Sequence, residues 1–136
     1  MKIRVDKKDV VFSKLIRLRA RFNCELRGKC KGRYFPEGNG LQCCHIFSRR
    51  HQATRYDPDN AMAGCFACHQ YFGENPTLFT AVVKKHLGDV RYEELEARHR
   101  KIVKRTDADA DSLYQHLKAE YKALQMDPNH TVVGYD

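Results

Sequence analysis

No stretch of this sequence is apolar enough to cross a membrane, and its N-terminus lacks the apolar core of a secretory signal peptide. We therefore expect a soluble, cytoplasmic protein. In that reducing compartment, six cysteines indicate metal ligands rather than disulfides. A chain of 136 residues suggests one domain with an appended helical element, whose modest core a bound metal would help to stabilise.

Acidic residues are scarce in the first 50 positions. This segment holds 14 Lys and Arg against 4 Asp and Glu, a net charge of +10, whereas residues 51–136 hold 11 against 13, a net charge of −2. All of the excess positive charge therefore lies at the N-terminal end. Such asymmetry favours a polyanionic partner, most simply nucleic acid, although a solvated basic face would give the same count.

Several signatures of metal and haem proteins are missing or incomplete. The chain has no His-Glu-x-x-His metalloprotease motif and no His-x-Glu, and Gly64 stands where a zinc deaminase has the proline before its cysteine pair. Cys65-Phe66-Ala67-Cys68-His69 does match the attachment pattern of c-type haem. That interpretation requires export and leaves four cysteines without a role, so we disfavour it.

Apolar periodicity and turn residues predict an α+β chain with a basic helix near its N-terminus. In chain order, the expected elements are a helix over 9–21 with Asp9 as N-cap, a loop over 24–40, a strand over 41–47, a polar segment to Asn60, and a short helix from there to Phe72. Further helices are expected over 77–87, around 92–103, and around 113–124 after an acidic start at Asp107. The chain thus divides into a core over 1–76, a helical extension over 77–126 and a tail over 127–136.

The cysteines predict a structural zinc site. Cys65 and Cys68 have the spacing of a pair that grips one Zn²⁺, and Cys24 and Cys30 are candidates for the second pair. The gap of five residues between Cys24 and Cys30 is wider than usual, so these two could instead be ordinary half-buried thiols. Cys43 or Cys44 could also take the place of Cys30.

A histidine, an asparagine and a second histidine surround the Cys-x-x-Cys pair. His45 lies on the expected strand, Asn60 ends the polar segment, and His69 directly follows Cys68, so a strand, a loop and a helix could bring the three side chains to one point. Each residue has a simpler interpretation. His45 could be a structural or zinc-ligating residue, Asn60 a helix N-cap, and His69 an exposed helical residue.

This arrangement resembles the HNH nucleases, and most closely the NinG/Rap recombination nucleases of lambdoid phages. The resemblance covers about residues 8–75. It rests on the following segments: Val11-Phe12-Ser13-Lys14-Leu15-Ile16-Arg17-Leu18-Arg19, Cys44-His45 with Ser48-Arg49-Arg50, and Arg55-Tyr56-Asp57-Pro58-Asp59-Asn60 leading to Cys65 and Cys68. One departure is that Cys44 stands where many members carry an Asp or His metal ligand.

The resemblance implies a zinc-bound ββα-metal core and a metal-dependent endonuclease that cuts branched or recombination-intermediate DNA in a phage or prophage setting. It makes His45 the general base, Asn60 the residue that orients it, and His69 a ligand of catalytic Mg²⁺ or Mn²⁺. Basic residues near this centre would bind the phosphate backbone of DNA. They are Lys14, Arg17, Arg21, Arg49, Arg50 and Arg55.

Two other functions fit the same sequence. A non-catalytic, zinc-stabilised module that binds nucleic acid would explain the basic N-terminal segment and the missing acid at Cys44. An accessory protein of phage DNA packaging or recombination would work through the C-terminal helices. Leu113, Leu117, Tyr121 and Leu124 could form a homodimer interface there, or could simply cover the core.

Overall fold

The computed structural model describes residues 3–135, which form six α-helices and a two-stranded antiparallel sheet. The helices are α1 (Lys7–Arg19), α2 (Gln52–Arg55), α3 (Phe66–Glu74), α4 (Pro76–Leu87), α5 (Asp89–His99) and α6 (Asp107–Met126). The strands are β1 (Leu41–His45) and β2 (Ala61–Cys65), and short 3₁₀ turns occupy Pro36–Gly38 and Pro58–Asn60. The expected α+β class is confirmed. No helix in residues 3–135 has the length and apolar character needed to cross a membrane.

Strand β2 is the main error in the predicted secondary structure, since we expected a helix directly after Asn60. Instead, β2 pairs with β1 from His45↔Ala61 to Leu41↔Cys65, and α3 begins only at Phe66. All five β2 residues are buried, so the segment shows no polar–apolar alternation that would mark a strand. Gly64 fits the same packing, because a Cβ there would collide with Leu26 and Cys44.

Helix α1 begins and ends two residues before its predicted bounds. Its N-cap is Asp6 rather than Asp9, and the two carboxylates form a capping box in which Asp9 accepts a hydrogen bond from the Asp6 backbone N–H at 2.9 Å. The helix ends at Arg19 because Arg21 and Phe22 adopt positive φ angles of 52° and 60°. The chain then turns towards Cys24.

The predicted ends of strand β1 and helix α5 also differ from those in the structure. Strand β1 ends at His45 rather than residue 47, because the backbone N–H of Ile46 and that of Phe47 both turn to Asn60. Helix α5 ends at His99 rather than near residue 103, and Ile102 beyond it is 92% exposed. The predicted helices around α4 and α6 are present, with Gly88 following α4 and Thr106 capping α6.

Helix α6 packs along α1 within the same chain. Its leucines at helical spacing are buried there: Leu113, Leu117 and Leu124. These three side chains therefore cover the core, as the second of the two expected alternatives has it, while Tyr121 is half-buried. The segment after α6 also returns to it, since the Val133 backbone N–H donates to the buried Glu120 carboxylate at 2.7 Å.

Replacement of Leu117 tests whether α6 belongs to the core. Leu117→Ala should lower the free energy of unfolding by about 2–5 kcal/mol, because the buried side chain leaves a cavity between α6 and α1. Leu78→Ala is the matched control, since that side chain is 47% exposed and should cost far less. Urea denaturation followed by circular dichroism measures both. Equal, small effects would show that α6 is an independent extension.

Candidate functional site

Four cysteines from two parts of the chain meet at one point. Cys24 follows α1, Cys30 lies in the loop after it, Cys65 ends β2, and Cys68 lies in the first turn of α3. Their four sulfur atoms all lie within 4.8 Å of one another. Thiolates bound to one Zn²⁺ at about 2.3 Å would lie about 3.8 Å apart in a tetrahedron, and the Cys30 and Cys68 sulfurs are 3.6 Å apart. The cluster could therefore hold a metal ion such as zinc.

Backbone N–H groups donate to two sulfurs of this four-cysteine cluster. The Lys29 backbone N–H donates to Cys68 Sγ at 3.2 Å, and the Cys65 backbone N–H donates to Cys24 Sγ at 3.4 Å. Burial raises the pKa of Cys68, but hydrogen bonds from the backbone N–H groups of Lys29 and Cys30 and from the Cys65 and Cys30 side chains outweigh it and bring the pKa down to about 7. In contrast, burial raises the pKa of Cys24 to about 12 and also raises that of Cys65. The thiolate form is thus favoured at Cys68, whereas Cys24 and Cys65 would need a bound cation to lose their protons.

His45 ends β1 and is held through one ring nitrogen. Its Nε2 lies 2.9 Å from the backbone oxygen of Arg55, and its ring packs 5.7 Å from that of Phe12. Since a carbonyl can only accept, Nε2 carries the proton and Nδ1 keeps its lone pair in the neutral ring. Burial lowers the pKa of His45 below its usual 6.5, with a smaller opposing effect from the bond to Arg55. Burial and the bond to Arg55 thus favour a neutral ring with a lone pair on Nδ1.

Asn60 fixes the loop that carries the Arg55 carbonyl. Its side chain is fully buried, donates to the backbone oxygens of Phe47 and Thr54 at 3.0 and 2.9 Å, and accepts from the Phe47 N–H at 2.8 Å. It caps no helix, because β2 follows it. These bonds hold the segment whose Arg55 backbone oxygen contacts His45.

His45 and His69 line the same open cavity of about 690 Å³. Helix α1 forms one wall of this cavity, β1 another, and α3 supplies His69. Sequence reasoning missed one residue here. Gln42 on β1 also lines the cavity, and its Oε1 lies 2.7 Å from His69 Nδ1. No sequence pattern marked it, because strand alternation places Gln42 on the opposite face from Cys43 and His45.

Cys44 does not contribute to the cavity. It is 1% exposed and packs in the core, where burial raises its pKa. Cys44, which departs from the metal ligand of the resembling family, therefore has no access to the cavity that His69 lines. Cys43 lies in the cavity wall, but neither residue belongs to the four-cysteine cluster, which includes Cys30 as first expected.

The predicted DNA-binding cations fall into separate groups. Arg17 and Arg49 line the cavity, and Lys14 and Arg50 are exposed. Arg21 is exposed but belongs to another surface, where it contacts Asn129.

The prediction that Arg55 contacts the DNA backbone is wrong. It is 7% exposed, and its guanidinium donates to both Asp9 carboxylate oxygens at 2.6 and 3.1 Å. Its charge is neutralised inside the protein, where it ties the loop to α1. It therefore presents no free cation to DNA.

Comparison of the chain with protein-family models, with curated proteins and with solved structures gives no match.

Replacement of single cysteines tests the four-cysteine cluster. Cys68→Ser should abolish stoichiometric zinc binding, because three thiolates and a weakly binding hydroxyl hold the ion poorly. Loss of the ion should lower the free energy of unfolding by roughly several kcal/mol. Cys43→Ser is the matched control, since Cys43 lies outside the cluster and should leave one zinc per chain. Elemental analysis and thermal unfolding give the readouts. If both variants kept one zinc per chain, the assignment of the four-cysteine cluster as the zinc site would be wrong.

Proposed function

We propose that this protein is a zinc-stabilised, metal-dependent DNA endonuclease of the HNH type. The observation that carries the proposal is that His45 and His69, 24 positions apart in the sequence, line one open cavity beside a cluster of four cysteines. The order β1–β2–α3 supports it too, because it is the strand–strand–helix order of a ββα-metal core. We take the ion of the four-cysteine cluster to be zinc.

In this proposal, His45 is the general base. A water molecule in the cavity would give its proton to Nδ1 while its oxygen attacks the phosphorus of the scissile phosphodiester. The bond between phosphorus and the leaving oxygen would break, and that oxygen would take a proton from a second water molecule. The Nε2–H would go on donating to the Arg55 carbonyl, and this bond would stabilise the imidazolium as it forms. Asn60 would hold that carbonyl in place through its three backbone hydrogen bonds.

His69 would provide a ligand for a divalent cation at the opposite wall. When bound, Mg²⁺ or Mn²⁺ neutralises negative charge on the phosphoryl group and on the leaving oxygen. The position of His69 depends on the four-cysteine cluster, because Cys68 is its direct neighbour at the start of α3. A rigid helix start would keep the imidazole at a fixed distance from His45.

The cationic residues around the cavity support a nucleic-acid substrate. Arg17 and Arg49 are placed to contact the phosphates that flank the scissile bond, and Lys14 and Arg50 could extend this contact along the backbone. Contacts of this kind are independent of base sequence. The further assignment to branched or recombination-intermediate DNA of a phage follows the resemblance stated for the sequence.

A cleavage assay tests catalysis directly. With Mg²⁺ or Mn²⁺, the zinc-loaded protein should cut a four-way DNA junction, and His45→Ala should reduce the rate by about 10²–10⁴-fold because the base is lost. His51→Ala is the matched control, because this exposed histidine lies outside the cavity and should leave the rate unchanged. A linear duplex of the same sequence reports branch preference.

The same assay can also contradict the endonuclease proposal. If the unmodified protein cuts no faster than His45→Ala with either metal, the endonuclease proposal is wrong. Salt-sensitive DNA binding without cleavage would then favour the non-catalytic nucleic-acid-binding module.

The pH dependence of cleavage tests the environment of His45. Because burial lowers its pKa below 6.5, the ring should stay neutral and able to accept a proton at pH values where an exposed histidine is already protonated. The acid limb of kcat/KM, which reports the free enzyme, should therefore have its midpoint below pH 6.5. A midpoint at or above pH 6.5 would show that the burial of His45 does not control the reaction.

A further inference from the structure

The cavity lacks the acidic ligand that a catalytic cation would ordinarily use beside His69. The position before His45 is Cys44, whose side chain points into the core. Among the described residues that line the cavity, Asp9 carries the single carboxylate, and it is engaged by the Arg55 guanidinium. A cation at His69 must therefore take its second protein ligand from a neutral group.

Gln42 is the neutral oxygen donor at the right place. It is exposed, lines the cavity with both histidines, and accepts a hydrogen bond from the His69 Nδ1–H to Oε1 at 2.7 Å. Amide oxygens are ordinary ligands of hard divalent cations. Two neighbouring ligands of an octahedral ion at about 2.1 Å lie about 3 Å apart, so a cation that replaced the shared proton would need only a small shift of the two side chains to bind both atoms.

We propose that Gln42 Oε1 and His69 Nδ1 together are the protein ligands of a divalent cation, with Gln42 in place of the acidic residue that position 44 lacks. The inference rests on the proposed endonuclease function for the role of this ion, but the site itself is defined by the two side chains. A ligand pair without charge leaves water molecules and a DNA phosphate to complete the coordination. Cation affinity should therefore be modest and should increase when DNA is bound.

Binding of Mn²⁺ to the zinc-loaded protein tests the site without reference to activity. Electron paramagnetic resonance measures free Mn²⁺, and pulsed measurements detect nitrogen coordinated to it. Gln42→Met, which keeps the side-chain length but removes the oxygen, should weaken Mn²⁺ binding about tenfold or more. His69→Ala should do the same and remove the nitrogen signal. Gln70→Ala is the matched control, because this exposed neighbour lies outside the cavity and should bind Mn²⁺ like the unmodified protein.

Gln42→Glu separates a direct ligand from a residue that only orients His69. A carboxylate bound to the cation should tighten Mn²⁺ binding several-fold, because it adds a charge to the same oxygen position. Unchanged or weaker binding in Gln42→Glu would overturn the assignment of Gln42 as a ligand.

The failures of this inference and of the proposed function are distinguishable. If Gln42→Met binds Mn²⁺ normally while cleavage still requires His45, the cation site is wrong and the endonuclease stands. If Mn²⁺ binding depends on Gln42 and His69 but no DNA is cut, the site stands and the endonuclease is wrong. No Mn²⁺ binding by the unmodified protein, with or without DNA, would overturn the site.

Discussion

The fold around the cavity depends on bringing four sulfur atoms to within 4.8 Å of one another. Two of them come from irregular chain after α1, and two from the junction of β2 and α3. Four thiolates this close would repel each other unless a cation lay between them. If a metal ion occupies the cluster, its binding is coupled to folding, and the metal–sulfur bonds would stabilise a loop that has little regular structure of its own. The same bonds would fix the start of α3, and with it His69.

A second constraint acts on the segment between the strands. Asn60 holds this segment through three backbone hydrogen bonds, and Arg55 ties it to both neighbouring elements. The Arg55 carbonyl accepts from His45 on β1, while its guanidinium pairs with Asp9 on α1. One residue thus joins the helix that carries Arg17 to the strand that carries His45. The buried ion pair is stable here because both charges are compensated by short hydrogen bonds.

The chemically distinctive residues of this site could be predicted from the sequence, whereas their surroundings could not. Cysteine spacing identified the four-cysteine cluster, because few other arrangements use thiols in that pattern. Strand β2 escaped prediction because burial on both faces removes the alternation on which a strand assignment rests. Arg55 was misassigned because a sequence does not distinguish a cation paired in the interior from one open to solvent. Gln42 carries no sequence signature, and its contact with His69 emerges only when α3 is placed beside β1.

The two histidines occupy environments that suit different tasks. A general base must be neutral and hold its lone pair in a fixed direction, and His45 meets both conditions through burial and through the Arg55 carbonyl. A ligand of an exchangeable cation needs contact with solvent, because water molecules complete the coordination, and His69 is exposed. If the rings exchanged environments, the base would be protonated at higher pH and the ligand would be closed to water. In the proposed mechanism, the difference in burial across one cavity thus suits His45 to proton transfer and His69 to cation binding.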